Sequence, residues 1–216
     1  MGEATILLIV TTSFVVGLTG ALMPGPLLAL TISQSTRYGF WAGPLIVLGH
    51  GILELALVVA LVLGLSQVIG DQLVLSIVGI IGGLVLIYMG VTTARQGWRK
   101  AVLPLESANG GQNRKLVFSG MLVSVSNPYW TMWWATIGLT YLLWSSKLGI
   151  AGVATFFASH ISADLVWYAL IAFIVVKGRK IISDTVYRWF LIVCGLAIVG
   201  LGVYFIISGM QFLKIL

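Results

Sequence analysis

Apolar residues fall along this chain in six long blocks. They run Ala4–Leu22 with a continuation, Phe40–Leu65, Leu73–Ala94, Leu116–Leu143, Gly149–Val176 and Trp189–Gly209. A helix of about 20 apolar residues spans a bilayer, so each block is long enough to cross. The one long polar connection is Arg95–Lys115, which holds Pro104 and Asn109-Gly110-Gly111 and reads as loop. It divides the chain into residues 1–94, a loop at 95–115 and residues 116–216, with three blocks on each side.

The first block contains Met23-Pro24-Gly25-Pro26, preceded by 18 uncharged residues (Ala4–Ala21) and followed by nine more (Leu27–Ser35). A straight helix over all of these would be roughly 48 Å long at its usual rise. The hydrocarbon core is only about 30 Å thick. Two prolines around a glycine also remove amide donors and clash with the preceding turn. The pattern predicts a broken helix, whose freed backbone groups must face protein or a water-filled cavity. A tight turn at the membrane surface fits the same residues. Asn127-Pro128 sits at the corresponding place in the fourth block, as a second break or a simple proline kink.

Charge then sets the topology. Of 12 lysines and arginines, Arg37, Arg95, Arg99, Lys100, Arg114, Lys115, Lys177, Arg179, Lys180 and Arg188 fall on one side when the connections alternate. Lys147 and Lys214 fall on the other. The positive-inside rule makes the first side cytoplasmic and puts both termini outside. Three spans per half place the halves in the membrane in opposite directions, the inverted-repeat layout of many transporters. The expected fold is an all-α membrane protein of six transmembrane helices, arranged as two inverted three-helix repeats, with the first and fourth helices broken at proline motifs. Charged residues make up 8% of the chain against 59% hydrophobic, which excludes a soluble domain. The net charge of +6 is explained by topology rather than by nucleic acid. Glu3 at the start, without a basic stretch, predicts that the first helix is kept. The single Cys194 allows neither an internal disulfide nor a CxxC redox pair, which excludes a thiol-electron carrier.

The chemistry concentrates in two pairs, His50 with Glu54 and His160 with Asp164. These hold the chain's two histidines, each four residues before an acid, in corresponding spans of the two halves. Residues four apart share a helix face, so each histidine can hydrogen-bond its acid. A charge in the bilayer centre costs several kcal/mol, so Glu54 and Asp164 are expected to face the interior. There they can carry a proton or bind an ammonium group, with the histidines as relays. The pairs also fit buried hydrogen-bonded staples, or ligands of a divalent metal. A half-helix starting after Pro26 points its amides at the gap and suits a carboxylate. Asn127 adds an amide that donates and accepts. Trp130, Trp133 and Trp134 share a face at helical spacing and fit either a pocket wall or packing. No Gly-x-Ser-x-Gly elbow or nucleophile beside a base points to an enzyme.

Met23-Pro24-Gly25-Pro26, followed by Arg37-Tyr38-Gly39, Gly43, Gly49 and His50, resembles the lysine exporter (LysE/RhtB) family of amino-acid efflux permeases. The resemblance covers the whole length, including Asn127-Pro128. It implies export of amino acids or related small metabolites from the cell through the inner membrane, driven by membrane potential or a proton gradient, often as a homodimer. It places Pro24, Gly25 and Pro26 at the transport site, with Asn127 and Pro128 as their repeat counterpart. The tryptophans at 130–134 depart from that pattern and admit a bulkier or less charged substrate than a basic amino acid. Trp130 and Trp134 are therefore expected at the substrate, and His50, Glu54, His160 and Asp164 in the coupling. No cofactor and no resident metal are expected. The competing function is a divalent metal-ion permease built on His50/Glu54 and His160/Asp164.

Overall fold

A computed structural model describes residues 2–23, 25–65, 72–99, 112–178 and 183–212. All regular structure among them is helical. The helices are α1 (Gly2–Ala21), α2 (Pro26–Tyr38), α3 (Ala42–Ala60), α4 (Gln72–Trp98), α5 (Gln112–Val125), α6 (Pro128–Trp133), α7 (Leu139–Ser146), α8 (Gly149–Gly178) and α9 (Asp184–Phe212). A widened π turn, Trp134–Gly138, joins α6 to α7. Large apolar side chains cover the outside, among them Leu63, Ile150 and Phe173. In water such a surface would drive association, whereas lipid solvates it.

Among the described residues, three stretches are long and apolar enough to cross a membrane: Ala42–Gly64, Gly149–Gly178 and Leu191–Gln211. The pair Thr5–Ala21 and Pro26–Tyr38, bent by 76°, makes a fourth when taken as one broken span. The expected count was six. The third block holds a shorter apolar core, Gly79–Arg95, within α4. The fourth is cut into α5 and α6 at Ser126-Asn127. The polar connection is also shorter than its composition suggests. α4 runs on to Trp98 and α5 begins at Gln112, because polar residues past the apolar core can still continue a helix. Pro104 and Asn109-Gly110-Gly111 lie outside the described residues.

Both breaks follow from local chemistry. α1 stops at Ala21, and α2 restarts with Pro26 in its first turn, where a proline costs no hydrogen bond. Gly25 is its extended N-cap (φ −144°, ψ −173°). Pro24 lies outside the described residues. At the second break Asn127 is extended (φ −95°, ψ 106°), and its side-chain oxygen accepts from the Tyr129 amide at 3.1 Å. Pro128 follows in the first turn of α6. The two breaks share a proline restart but differ in the cap, since glycine has no side chain to accept with.

α1 packs on α8, α5 on α3, α3 on α8, and α4 along α9. Glycines set how close these helices come. A Cβ at Gly49 would collide with the Val117 carbonyl, and one at Gly120 with the Ile46 carbonyl, so α3 and α5 meet backbone to backbone. Gly90 and Gly195 do the same for α4 and α9.

Candidate functional site

The two His/acid pairs come from facing helices and meet. His50 and Glu54 lie on α3, His160 and Asp164 on α8, and all four are at most 6% exposed. The expectation was that each histidine bonds its own acid. The structure adds a cross-helix set. His50 Nε2 lies 3.1 Å from Glu54 Oε1 and 3.7 Å from Asp164 Oδ2. His160 Nε2 lies 3.1 Å from Glu54 Oε2 and 3.7 Å from Asp164 Oδ2. Each acid therefore faces both histidines, and Glu54 is held closer than Asp164.

Two tryptophans complete the hold on Glu54. The indole N–H groups of Trp130 and Trp134 donate to Oε1 at 2.9 and 2.8 Å. Glu54 Oε2 and Asp164 Oδ2 are buried without a hydrogen bond, as are both ring nitrogens of His160. The His160–Glu54 approach is thus an ion-pair distance without the direction of a hydrogen bond. Burying polar atoms without hydrogen bonds costs free energy, so a proton or a polar ligand on these atoms would relieve that cost.

The histidines differ in their second nitrogen. His50 Nδ1 lies 2.7 Å from the Ser124 hydroxyl on α5, and that hydroxyl donates to the Gly120 carbonyl at 2.7 Å. A hydroxyl has one proton. Ser124 can therefore only accept from His50, which puts a proton on Nδ1 and leaves Nε2 as the nitrogen that faces Glu54 and Asp164. His160 Nδ1 instead faces Gly17 of α1, where a Cβ would come within 2.7 Å. Its ring stacks on Trp133 with centroids 4.7 Å apart. Ser124→Ala is expected to release the His50 tautomer. Nitrogen-15 spectra of the purified protein should lose the signature of one Nδ1-protonated ring, and an unchanged spectrum would refute the assignment.

The quartet lines a cavity of about 710 Å³, its open mouth included. Met23, Gly25 and Pro26 reach it from the first break and Asn127 from the second. Trp130 and Trp133 form an aromatic wall. Trp134 is fully buried behind Glu54 and is not among the described lining residues. Pro128 is described only as the backbone start of α6. Tyr168 also lines the cavity, and its hydroxyl donates to the Ala21 carbonyl at 3.4 Å, tying α8 to the open end of α1. That satisfies a carbonyl which the first break leaves without a helical partner. Ser124, Gly17 and Tyr168 were not anticipated. They stand at no special spacing, and only the helix packing reveals what they face.

A buried, mixed-charge cluster beside two broken helices is the arrangement expected of a solute carrier. The LysE type translocator model matches residues 18–209, which include both breaks and the whole quartet. The chain belongs to the LysE type translocator family. It is a multi-pass membrane protein and a transporter by family. A Bacillus subtilis (strain 168) protein named "Putative amino acid efflux protein YcgF" is 25% identical over 199 residues, covering 91% of this chain and 94% of that protein. No solved structure matches the chain.

Proposed function

We propose that this translocator exports amino acids across the cytoplasmic membrane by coupling their movement to protons at the His50/Glu54/His160/Asp164 quartet. The observation that carries the reading is a buried quartet in the wall of the cavity where both broken helices end. Substrate entering there meets Gly25, Pro26 and Asn127 together with the acids. The same acids exchange protons with His50 Nε2 and His160 Nε2 over 3.1–3.7 Å. Binding and protonation then compete for one set of atoms, which is the requirement for coupling. Purified protein in vesicles should release labelled amino acids faster under an imposed proton gradient. An uncoupler should remove the acceleration, and release that ignores the gradient would end the coupling claim.

The packing pattern supports two inverted repeats. Exchanging the halves turns the α1–α8 contact into the α5–α3 contact, and leaves α3–α8 and α4–α9 as they are. We propose six crossings with both termini outside, from the distribution of lysine and arginine. A cysteine placed at Arg99, at the end of α4, should then be labelled only in permeabilised cells. Labelling from outside intact cells would overturn this topology.

Donor atoms of His50, Glu54 and Asp164 lie within 4.8 Å of one another, the basis of a metal-permease reading. That reading is weaker. Two indole donors already occupy Glu54 Oε1, and the relative's printed name speaks of amino acids.

A further inference from the structure

The exporter reading leaves open which amino acids fit, and the charges in the cavity decide it. Glu54 is committed: one oxygen accepts two indole N–H groups, and both histidines lie 3.1 Å from the carboxylate. Asp164 is not. Its nearest histidine nitrogens are 3.7 Å away, and Oδ2 is buried with no hydrogen bond. One carboxylate therefore remains for one ligand cation. No lysine or arginine is among the described lining residues, and the two lining histidines, His50 and His160, already face both acids, so a side-chain anion finds no uncommitted counter-charge.

A second polar feature sits in the same cavity. The 13-residue α2 opens at Gly25, which carries no side-chain cap, so no side-chain oxygen takes the amides of its first turn. That end suits a carboxylate. Asp164, 4% exposed and with no hydrogen bond at Oδ2, lines the same space. Apart from Ser124, Asn127 and the histidines, the wall is largely apolar or aromatic, with Met23, Leu27, Trp130, Trp133 and Leu201.

We propose, resting on the exporter reading, that the substrate is a zwitterionic amino acid with an uncharged, apolar side chain. Its ammonium group lies on Asp164, its carboxylate at the start of α2 and its side chain against Trp130, Trp133 and Leu201. A lysine side chain would bring a second cation where no free carboxylate remains. A glutamate side chain would bring an anion whose nearest cationic groups, His50 and His160, already face the two acids. Each leaves a desolvated charge unpaired, which polar sites reject strongly.

The test is counterflow into proteoliposomes of the full chain loaded with leucine. Labelled leucine, methionine and phenylalanine should enter at similar rates. Threonine should be slower, and lysine and glutamate slower than leucine by at least about tenfold. Isoamylamine and 4-methylpentanoate, which are leucine without its carboxylate or its ammonium group, should fail to compete. Lysine, glutamate or threonine entering as fast as leucine would overturn the substrate class while leaving the exporter standing. No exchange of any amino acid, by protein that still melts cooperatively, would remove both. Competition by either truncated leucine equal to that of leucine itself would overturn the two polar contacts.

Discussion

Glu54→Gln is expected to lower export by about a hundredfold or more, the size of effect seen when a positioned proton-transfer group is removed. The glutamine oxygen can still accept from the Trp130 and Trp134 indoles, which hold Oε1 at 2.9 and 2.8 Å. Its amide can point at His160 Nε2, now 3.1 Å from Oε2, provided that ring takes the proton on Nδ1. The cluster is therefore able to stay packed. What disappears is the carboxylate that both histidines face, and with it the acceptor for a proton leaving His50 Nε2. A structural staple predicts the opposite: near-normal export, because shape and hydrogen bonds are kept. Export measured in vesicles, alongside melting temperature, separates the two. Wild-type rates in a stable Glu54→Gln protein would sink the coupling role.

Much of this site is visible in the amino-acid order because the rules involved are local. Pro26 and Pro128 each suit the first turn of a helix and not its middle, and a helix restarts at both. Four-residue spacing puts His50 over Glu54 and His160 over Asp164 on any helix. The cross-pairing is different in kind. It depends on α3 and α8 packing together, which no spacing within either helix encodes. The same holds for Ser124 under His50, and for Gly17, whose missing Cβ makes room for His160. The tryptophans show the limit at one-residue resolution. Helical spacing groups Trp130, Trp133 and Trp134 on one face, and Trp130 and Trp134 do meet on Glu54, but which ring reaches the cavity is set by the helices packed against them. Trp133 goes to the cavity wall and Trp134 behind Glu54. The span count exposes another limit. Composition marks apolar blocks, yet backbone breaks and helix ends decide how much of each block is one continuous helix.

Asp164→Asn is expected to separate substrate binding from folding more cleanly than any change at Glu54. Asp164 accepts no hydrogen bond at Oδ2, and its histidine neighbours stand off at 3.7 Å, so little native structure depends on its charge. Asparagine has nearly the same shape and can donate to or accept from water in the cavity. The melting temperature should therefore stay within a few degrees of wild type, as for substitutions that remove no packing or bonded partner. Leucine binding should weaken by about tenfold or more, because an ammonium group loses its charged acceptor. Quenching of tryptophan fluorescence reports this directly, since Trp130 and Trp133 line the same cavity. Unchanged affinity with export that no longer responds to a proton gradient would assign Asp164 to proton transfer instead. Unchanged affinity and unchanged export would remove it from the transport site altogether. The first outcome is favoured by the asymmetry of the quartet. Glu54 is clamped by two indoles and two histidines, and Asp164 is the cavity-lining acid whose histidine contacts are longer, at 3.7 Å, and whose buried Oδ2 accepts no hydrogen bond.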